Sequence, residues 1–289
     1  MTSAESTVPP IREWVVDTRT LWPLVGKEVR DSLRNKWFIL YTVAFVILSV
    51  GVAYLSQVGT GFAGLAGFGK TAASLVNLTL LVVPLMGVTM GALSLSAERD
   101  RGMLAYVLAQ PVTRTEVFIA KFFGQSFAFV ATIAIGFGVS AALLARHASA
   151  DGALFLTLAG LSMLLALSML AIGMLIGTLV RRPGAAMGVS IFVWLCLTLL
   201  GDLGMMGAST LLSLQVDQML FMSFANPTQV FKLASIASFD STLDLLGPAG
   251  LYAVQTFGDW LFPLLIGLLV AWVFVPAILA WALFVRRPL

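Results

Sequence analysis

The sequence predicts an all-α integral membrane protein with six transmembrane helices. Of its 289 residues, 59% are hydrophobic and only 11% are charged. A mean hydropathy of +0.98 lies far outside the range of soluble globular domains. The apolar residues form charge-free windows, each long enough for the roughly 20 residues that a helix needs to cross a bilayer. The six windows run from Trp37 to Gly69, Thr71 to Ala97, Phe122 to Ala145, Gly152 to Val180, Pro183 to Gly201 and Trp260 to Val285.

The distribution of Lys and Arg predicts that both termini lie in the cytoplasm. Basic residues next to membrane spans stay on the cytoplasmic side. If the N-terminus is inside, 14 of the 17 basic residues share that side, and only Lys70, Arg146 and Lys232 lie outside. An even number of spans then returns the C-terminus to the cytoplasm. The net charge of +3 therefore reflects membrane topology and not a nucleic-acid-binding surface.

Two stretches precede the first span. Residues 1–20 contain a Pro-Pro pair and scattered charges, and we predict a flexible cytoplasmic tail there. Residues 21–36 are predicted to form an amphipathic helix that lies in the inner membrane interface. Its apolar stripe consists of Trp22, Val25, Val29 and Leu33, and its polar side consists of Lys27, Glu28, Arg30, Asp31 and Arg34. The six-span transmembrane domain then occupies residues 37–289.

A dense polar stretch, residues 98–116, separates the second and third spans. It predicts two short helices joined at Pro111. The first places Met103, Leu104, Val107 and Leu108 on one face at helical spacing. The second opens with Thr113 and Glu116, which match the capping-box pattern. A polar loop of this kind in a membrane protein indicates a binding site for a partner in the aqueous phase. We therefore interpret this segment as a docking site whose charged side chains, Glu98 among them, face water.

The longest extracytoplasmic piece, residues 207–259, is apolar but lacks a clean 20-residue span. A seventh crossing over residues 210–231 would leave the basic C-terminal tail outside, against the positive-inside rule. We therefore predict short helices that pack on the outer ends of the spans. One of them begins at Asn226 as N-cap, with Pro227 in the first turn, where its missing N–H costs nothing.

Three pairs of glycines follow the small-xxx-small spacing that lets membrane helices approach closely. They are Gly87 and Gly91, Gly173 and Gly177, and Gly184 and Gly188. We expect packing inside one subunit and keep a dimer seam as the alternative.

The sequence contains few residue patterns that would predict an enzyme. Residues 64–71 match the phosphate-binding pattern G-x-x-x-x-G-K-[ST], but they lie between two membrane spans, where we predict a glycine-rich turn. Any ATPase is therefore a separate chain. One Cys and one His, Cys196 and His147, cannot build a closed metal site. An alternative soft ligand set for Cu(I) on the outer face consists of Met205, Met206, Met219 and Met222.

The polar loop also carries a family resemblance. Its pattern Glu98-x-x-x-Gly102-x-Leu104, then Gln110-Pro111-Val112-x-Arg114 and Lys121-Phe122, resembles the ABC-2 type permeases of bacterial inner membranes. That resemblance implies two permease copies, a separate cytoplasmic ATPase that holds ATP and Mg, and a coupling helix over residues 99–108. The implied ATPase-coupling residues are Glu98, Arg99, Arg101, Gly102, Met103, Leu104, Val107, Leu108, Pro111 and Arg114.

A narrower resemblance rests on the run from Asn226 to Leu233 before an acidic outer segment. It is similar to the NosY-like permeases of nitrous oxide reductase maturation. This implies a NosF-like ATPase, a periplasmic β-helical NosD-like protein, a copper chaperone and a role in copper-site assembly. The implied outer partner face consists of Asn226, Pro227, Thr228, Phe231 and Lys232. The alternatives are an exporter of a lipid, drug or glycan, and a passive membrane anchor for a periplasmic protein.

Overall fold

A computed structural model describes residues 17–58, 64–144, 152–201, 216–238 and 253–286 of the chain. The described residues form helices joined by short connections. We number them α1 Thr18–Arg34, α2 Lys36–Val58, α3 Gly64–Asp100, α4 Met103–Leu108, α5 Arg114–Leu144, α6 Gly152–Leu179, α7 Pro183–Leu195, α8 Val216–Phe224, α9 Pro227–Ala237 and α10 Leu261–Arg286. A π-helical turn, Cys196–Leu200, extends α7, and a 3₁₀ turn, Gly258–Trp260, precedes α10.

Six of these helices are long and apolar enough to cross a membrane, as the sequence predicts. They cover Lys36–Leu55, Ala73–Asp100, Arg114–Leu143, Gly152–Leu179, Pro183–Leu200 and Ala253–Arg286. Two boundaries differ from the prediction. The glycine-rich turn is wrong, because the chain from Gly64 onward is already the first part of α3. The second short helix of the polar loop is also wrong, because Arg114 begins the long helix α5.

Glycines bring α3 and α6 together at the centre of the bundle. A Cβ at Gly87 would lie 2.7 Å from the Met169 Cβ, and one at Gly91 would lie 2.5 Å from the Leu170 carbonyl oxygen. Gly173 and Gly177 meet the α3 backbone in the same way. The prediction of packing inside one subunit is thus confirmed for these two pairs. A larger side chain at these positions would clash, so the glycines allow the backbones of α3 and α6 to lie in contact.

Helix α7 has a different environment. It packs on α3 through Ala186 and Ser190, which are fully buried. Its other side is exposed, with Phe192 66% accessible, and a Cβ at Gly184 or Gly188 would meet nothing within 4 Å. Packing inside this subunit is therefore not seen for the third glycine pair.

Helix α1 lies across α5, and Gly124 makes the approach possible. A Cβ at Gly124 would lie 2.5 Å from the Glu28 Cβ. The buried side chains of α1 are Val25 and Glu28. This corrects the sequence analysis, which put Glu28 on the polar side. Trp22 and Leu33, two members of the predicted apolar stripe, are exposed, whereas Val25 of the same stripe is buried.

The bundle has two distinct ends. We call one the α4 end, because α1 and α4 lie there with the first residues of α2, α5 and α7. The opposite end, which we call the α9 end, carries α8 and α9. Helix α9 packs against α10, α6 and α3. Both regions that the sequence singled out are therefore placed at the ends of the same central helices. His147 lies outside the described residues.

Candidate functional site

The polar loop is built around a helix end and one glycine. Helix α3 ends at Asp100, and Gly102 has a φ of 70°. Its N–H donates to the Arg99 carbonyl at 3.1 Å, which closes the helix end. Left-handed backbone of this kind is readily adopted by glycine and disfavoured for other residues. The single coupling helix over residues 99–108 is therefore wrong, because a turn at Arg101 and Gly102 divides it and leaves a six-residue helix, α4.

Helix α4 turns most of its apolar stripe inward. Leu104 is 1% exposed, and Val107 and Leu108 pack half-buried against the core. Of the four predicted stripe residues, only Met103 is exposed, at 49%. Beside it, Tyr106 is 72% exposed. Met103 and Tyr106 are three residues apart and share one helix face, so they form the outward apolar surface of α4.

Sequence reasoning missed Tyr106, although its signal was present. The predicted stripe included only Met103, Leu104, Val107 and Leu108, and no role was predicted for the aromatic side chain of Tyr106. Tyrosine combines a large apolar area with a hydroxyl, which is why it is enriched at the centre of protein interfaces. Arg101, Gly102 and Pro111 of the same loop are also exposed. The exposed part of the predicted docking site is therefore a small apolar patch, Met103 and Tyr106, with the basic residue Arg101 nearby in the sequence.

The predicted capping box is confirmed at the start of α5. The Thr113 N–H donates to Glu116 Oε2 at 2.8 Å, and the Glu116 N–H donates to Thr113 Oγ1 at 3.2 Å. Glu116 Oε1 also accepts from the Asp17 N–H and the Thr20 hydroxyl, at 2.7 and 2.9 Å. One carboxylate thus joins the start of α5 to the start of α1.

Two arginines of the predicted coupling set close helix ends inside the chain. Arg99 donates to the Gly177 carbonyl oxygen of α6 at 3.4 Å, and Arg114 donates to the Val285 carbonyl oxygen of α10 at 3.2 Å. Cations are favourable at helix C-termini, where carbonyl groups lack intrahelical partners. Arg99 and Arg114 therefore hold helices together at the α4 end, and this role does not require a partner protein.

Glu98 takes part in a buried ion cluster. The Lys121 ammonium lies 2.6 Å from Glu98 Oε1 and 3.0 Å from Glu28 Oε1. Lys121 is 1% exposed, so its charge depends on these two carboxylates. The cluster joins α1, α3 and α5 immediately beside the polar loop. The expectation that Glu98 simply faces water is therefore wrong.

The second site lies at the α9 end, where the Asn226 cap is confirmed. Asn226 Oδ1 accepts from the Thr228 N–H at 3.0 Å, and Pro227 occupies the first turn. The Asn226 side chain also donates to the Leu197 carbonyl oxygen at 2.7 Å, and the Thr228 hydroxyl donates to the same oxygen at 2.9 Å. Gly201 leaves room for this contact, since a Cβ there would lie 2.6 Å from Asn226 Nδ2. Asn226 therefore ties α9 to the π-helical end of α7.

Most of the predicted outer partner face is turned inward. Phe231 is fully buried, Thr228 is 2% exposed and Pro227 is buried too. They cannot touch a partner in this arrangement, because α6, α3 and α10 cover them. The prediction of a partner face is corrected for these three residues. Asn226 and Lys232 remain half-buried.

Metal-ligating side chains are not clustered in the part of the chain that the structure describes. Among the described residues, no group of three or more His, Cys, Asp or Glu side chains has the geometry to hold a metal ion. Met219 is buried and Met222 is exposed, while Met205 and Met206 lie outside the described ranges. The two sites consist of caps, ion pairs and packed helix ends, which position helices relative to one another.

Comparison with known proteins identifies the scaffold. The pattern of the family described as ABC-2 family transporter protein matches residues 22–289. The chain belongs to this family. It is 28% identical over 277 residues to a probable ABC transporter permease protein NosY of Stutzerimonas stutzeri, covering 92% of this chain and 98% of the relative. It is 27% identical over 278 residues to a protein of the same name from Pseudomonas aeruginosa, covering 93% and 99%.

The ABC-2 family match spans α1 to α10 and includes both sites. The protein is thus an ABC-2 family permease with the six membrane helices of an integral inner-membrane protein. ABC-2 permeases work with an ATPase partner.

Proposed function

We propose that the chain is the permease subunit of an ABC complex that transmits ATP-driven movement to the far side of the membrane. The complex holds two copies of this chain, two NosF-like ATPases and a periplasmic NosD-like protein. It serves copper-site maturation of nitrous oxide reductase, with a copper chaperone as a further partner. One observation carries the proposal. Helix α4 follows α3 directly through the Gly102 turn, and α9 packs against both α3 and α6, which their glycines bring into backbone contact.

The transmission follows from that packing. Helix α4 is joined to α3 by the Gly102 turn, and Arg99 fixes the end of α3 to the end of α6. At the opposite end, α9 packs against α3 and α6 and is tied to α7 by Asn226. Sliding of α3 against α6 would separate their glycine contacts. A displacement of α4 by the ATPase therefore moves α3 and α6 together. Movement at one end then displaces α9 at the other.

The same argument requires the α4 end to face the cytoplasm, with both termini on that side. The basic residues near span ends support this orientation. Trp22 and Leu33 of α1 then lie against the inner leaflet, as an interfacial helix does.

The buried polar groups favour a relay over a channel for hydrophilic solutes. Within the described spans, buried hydroxyls of Ser96, Ser162 and Ser190 donate to carbonyl oxygens of their own helices. Side chains used this way satisfy themselves and do not line a hydrated path, although the buried hydroxyls of Ser49 and Thr79 have no partner among the described residues. A polar cargo needs exposed polar groups at membrane depth. An exporter of a lipid or another apolar molecule remains the second candidate, since α2 and α7 expose large apolar faces.

The ATPase contact is tested with Tyr106→Ala and Arg101→Ala. Tyr106 is exposed, so its removal leaves the fold intact, and we expect an approximately tenfold or greater loss of ATPase binding. The measurement is co-purification of the ATPase with the tagged permease, together with the ATPase rate of the complex. Tyr54→Ala is the matched control, because Tyr54 is 63% exposed on α2. Equal ATPase recovery from all three variants contradicts the assignment of α4.

The copper role is tested separately in cells that depend on this permease. We expect the copper content of nitrous oxide reductase to fall with Tyr106→Ala and to persist with Tyr54→Ala. Full copper content despite lost ATPase binding rejects the maturation role and supports the exporter.

A further inference from the structure

A cavity of about 720 Å³ opens at the α4 end, between α1, α2, α3 and α5. Its wall contains the buried ion cluster on one side and the apolar residues Phe38, Met90 and Phe129 on another. The volume lies in the range of small-ligand sites. A site with one charged wall and one apolar wall suits an amphipathic molecule.

The charges of the lining point to a zwitterionic ligand. Four acidic and four basic side chains face the cavity, so neither sign dominates. Lys121 and Lys27 are shared by three carboxylates, Glu28, Glu98 and Asp31, which leaves the network along the inner wall one negative charge in excess. The exposed lining residues, which we call the mouth, include Arg34, Lys36, Arg101 and one carboxylate, Asp100. None of the four makes an ion pair with another described residue, so the mouth has an excess of positive charge. A ligand with a cationic end inward and an anionic group outward complements this arrangement.

Gln125 adds a specific requirement at the inner wall. It is 8% exposed, lines the cavity, and its Oε1 has no hydrogen-bond partner among the described residues. A buried acceptor of this kind costs free energy unless a donor fills it. The ligand should therefore present an N–H group beside the negative inner wall, as a primary ammonium does.

We propose that this cavity binds one inner-leaflet phospholipid with a primary amine, such as phosphatidylethanolamine. Its ammonium meets Gln125 Oε1 and the Glu98 carboxylate, and its phosphate meets the cations at the mouth. The acyl chains follow the apolar ridge of α2, where Trp37, Leu40 and Ile47 are exposed. The proposal rests on the proposed orientation, with the α4 end in the cytoplasm, and does not depend on the copper role. Because Arg101 lines the cavity and also belongs to the surface assigned to the ATPase, the lipid is measured on the chain without its ATPase.

Native mass spectrometry of the full chain tests the proposal, with each lipid added at equal concentration. Phosphatidylcholine keeps the same charges but lacks the N–H donors, and phosphatidylglycerol lacks the cation. We expect one phosphatidylethanolamine per chain, held about tenfold more tightly than either lipid, since hydrogen bonds to charged groups are among the stronger ones. Equal retention of the three lipids by the unmodified chain overturns the proposal.

Gln125→Leu locates the site. We expect this variant to lose the preference for phosphatidylethanolamine, whereas Ser126→Ala keeps it, because Ser126 lies on the same helix but outside the cavity lining and bonds only to the Phe122 carbonyl oxygen. A preference that survives Gln125→Leu rejects this cavity as the site. If Gln125→Leu does not fold, the comparison of the three lipids with the unmodified chain still decides whether the amine is recognised.

Discussion

Lys121 Nζ lies 2.6 Å from Glu98 Oε1, and Lys121 is almost completely buried. This pair joins the end of α3 to α5 next to the loop that we assign to ATPase coupling. Glu28 completes the cluster from α1. Three helices of the α4 end are thereby held in one geometry, so a displaced coupling loop carries α1 and α5 with it.

Lys121→Met is expected to destabilise the protein strongly. It leaves Glu98 without its cation and Glu28 with only the exposed Lys27, 3.7 Å away. Breaking a buried ion pair from one side costs about 3 to 5 kcal/mol. Thermal unfolding in detergent measures the effect. Replacing all three members, as Glu28→Gln, Lys121→Met and Glu98→Gln together, should recover most of the stability, because no uncompensated charge remains. A single Lys121→Met variant as stable as the unmodified protein contradicts the cluster.

Gly102→Ala tests the turn between α3 and α4. Alanine at a φ of 70° is strained, so we expect a loss of about 1 kcal/mol and a displaced α4. Gly26→Ala is the matched control. Gly26 lies inside α1, where an added Cβ would meet nothing within 4 Å, and alanine there should raise stability by about 0.5 to 1 kcal/mol. If Gly102→Ala lowers the free energy of unfolding and Gly26→Ala raises it, the left-handed turn is supported. If both substitutions change the free energy of unfolding in the same direction, the left-handed turn is rejected.

The features that the sequence predicted well are local or compositional. Charge-free windows located the six spans, and the Thr113–Glu116 and Asn226 caps followed from residues three or fewer positions apart. The ion cluster could not be predicted in this way, because Lys121 and Glu28 are 93 positions apart. Glu28 also lies among charged neighbours on α1, so periodicity placed it in water. Tertiary packing decided its position.

The burial of Phe231 was hidden for a related reason. A helix outside the spans was expected to present its side chains to a partner, but α9 packs against three membrane helices of its own chain. Amphipathic spacing shows that a helix has an apolar face without showing what covers it. Tyr106 is the opposite case. The neighbouring aliphatic residue Leu104 fills the space in the core, so the tyrosine side chain remains exposed.

The orientation of the bundle is tested by cysteine labelling. In a Cys196→Ser background, a cysteine at Tyr106 should react only after the membrane is permeabilised, and one at Asp217 should react in intact cells. Both positions are exposed in the structure, so access to the reagent depends on the side of the membrane. The reason for the expectation is the excess of basic residues at the α4 end. Labelling of the Tyr106 position in intact cells would show that the α4 end lies outside the cell and contradict the predicted topology.

Asn226→Ala tests the transmission of movement to the α9 end. It removes the acceptor for the Thr228 N–H and one of the two donors to the Leu197 carbonyl oxygen. Loss of an N-cap costs about 1 kcal/mol, and the link between α9 and α7 is weakened in addition. We expect the variant to lose binding of the periplasmic partner, or copper loading of the reductase, while ATP hydrolysis continues.

Asn35→Ala provides the control for Asn226→Ala. Asn35 Oδ1 accepts from the Trp37 N–H at 2.9 Å, so this substitution also removes an asparagine cap, but at the α4 end. Its effect on stability should be similar, whereas the periplasmic partner should still bind. If both variants retain the partner and full copper loading, movement of α9 is not the output of the complex, and export of an apolar cargo along the spans becomes the better account.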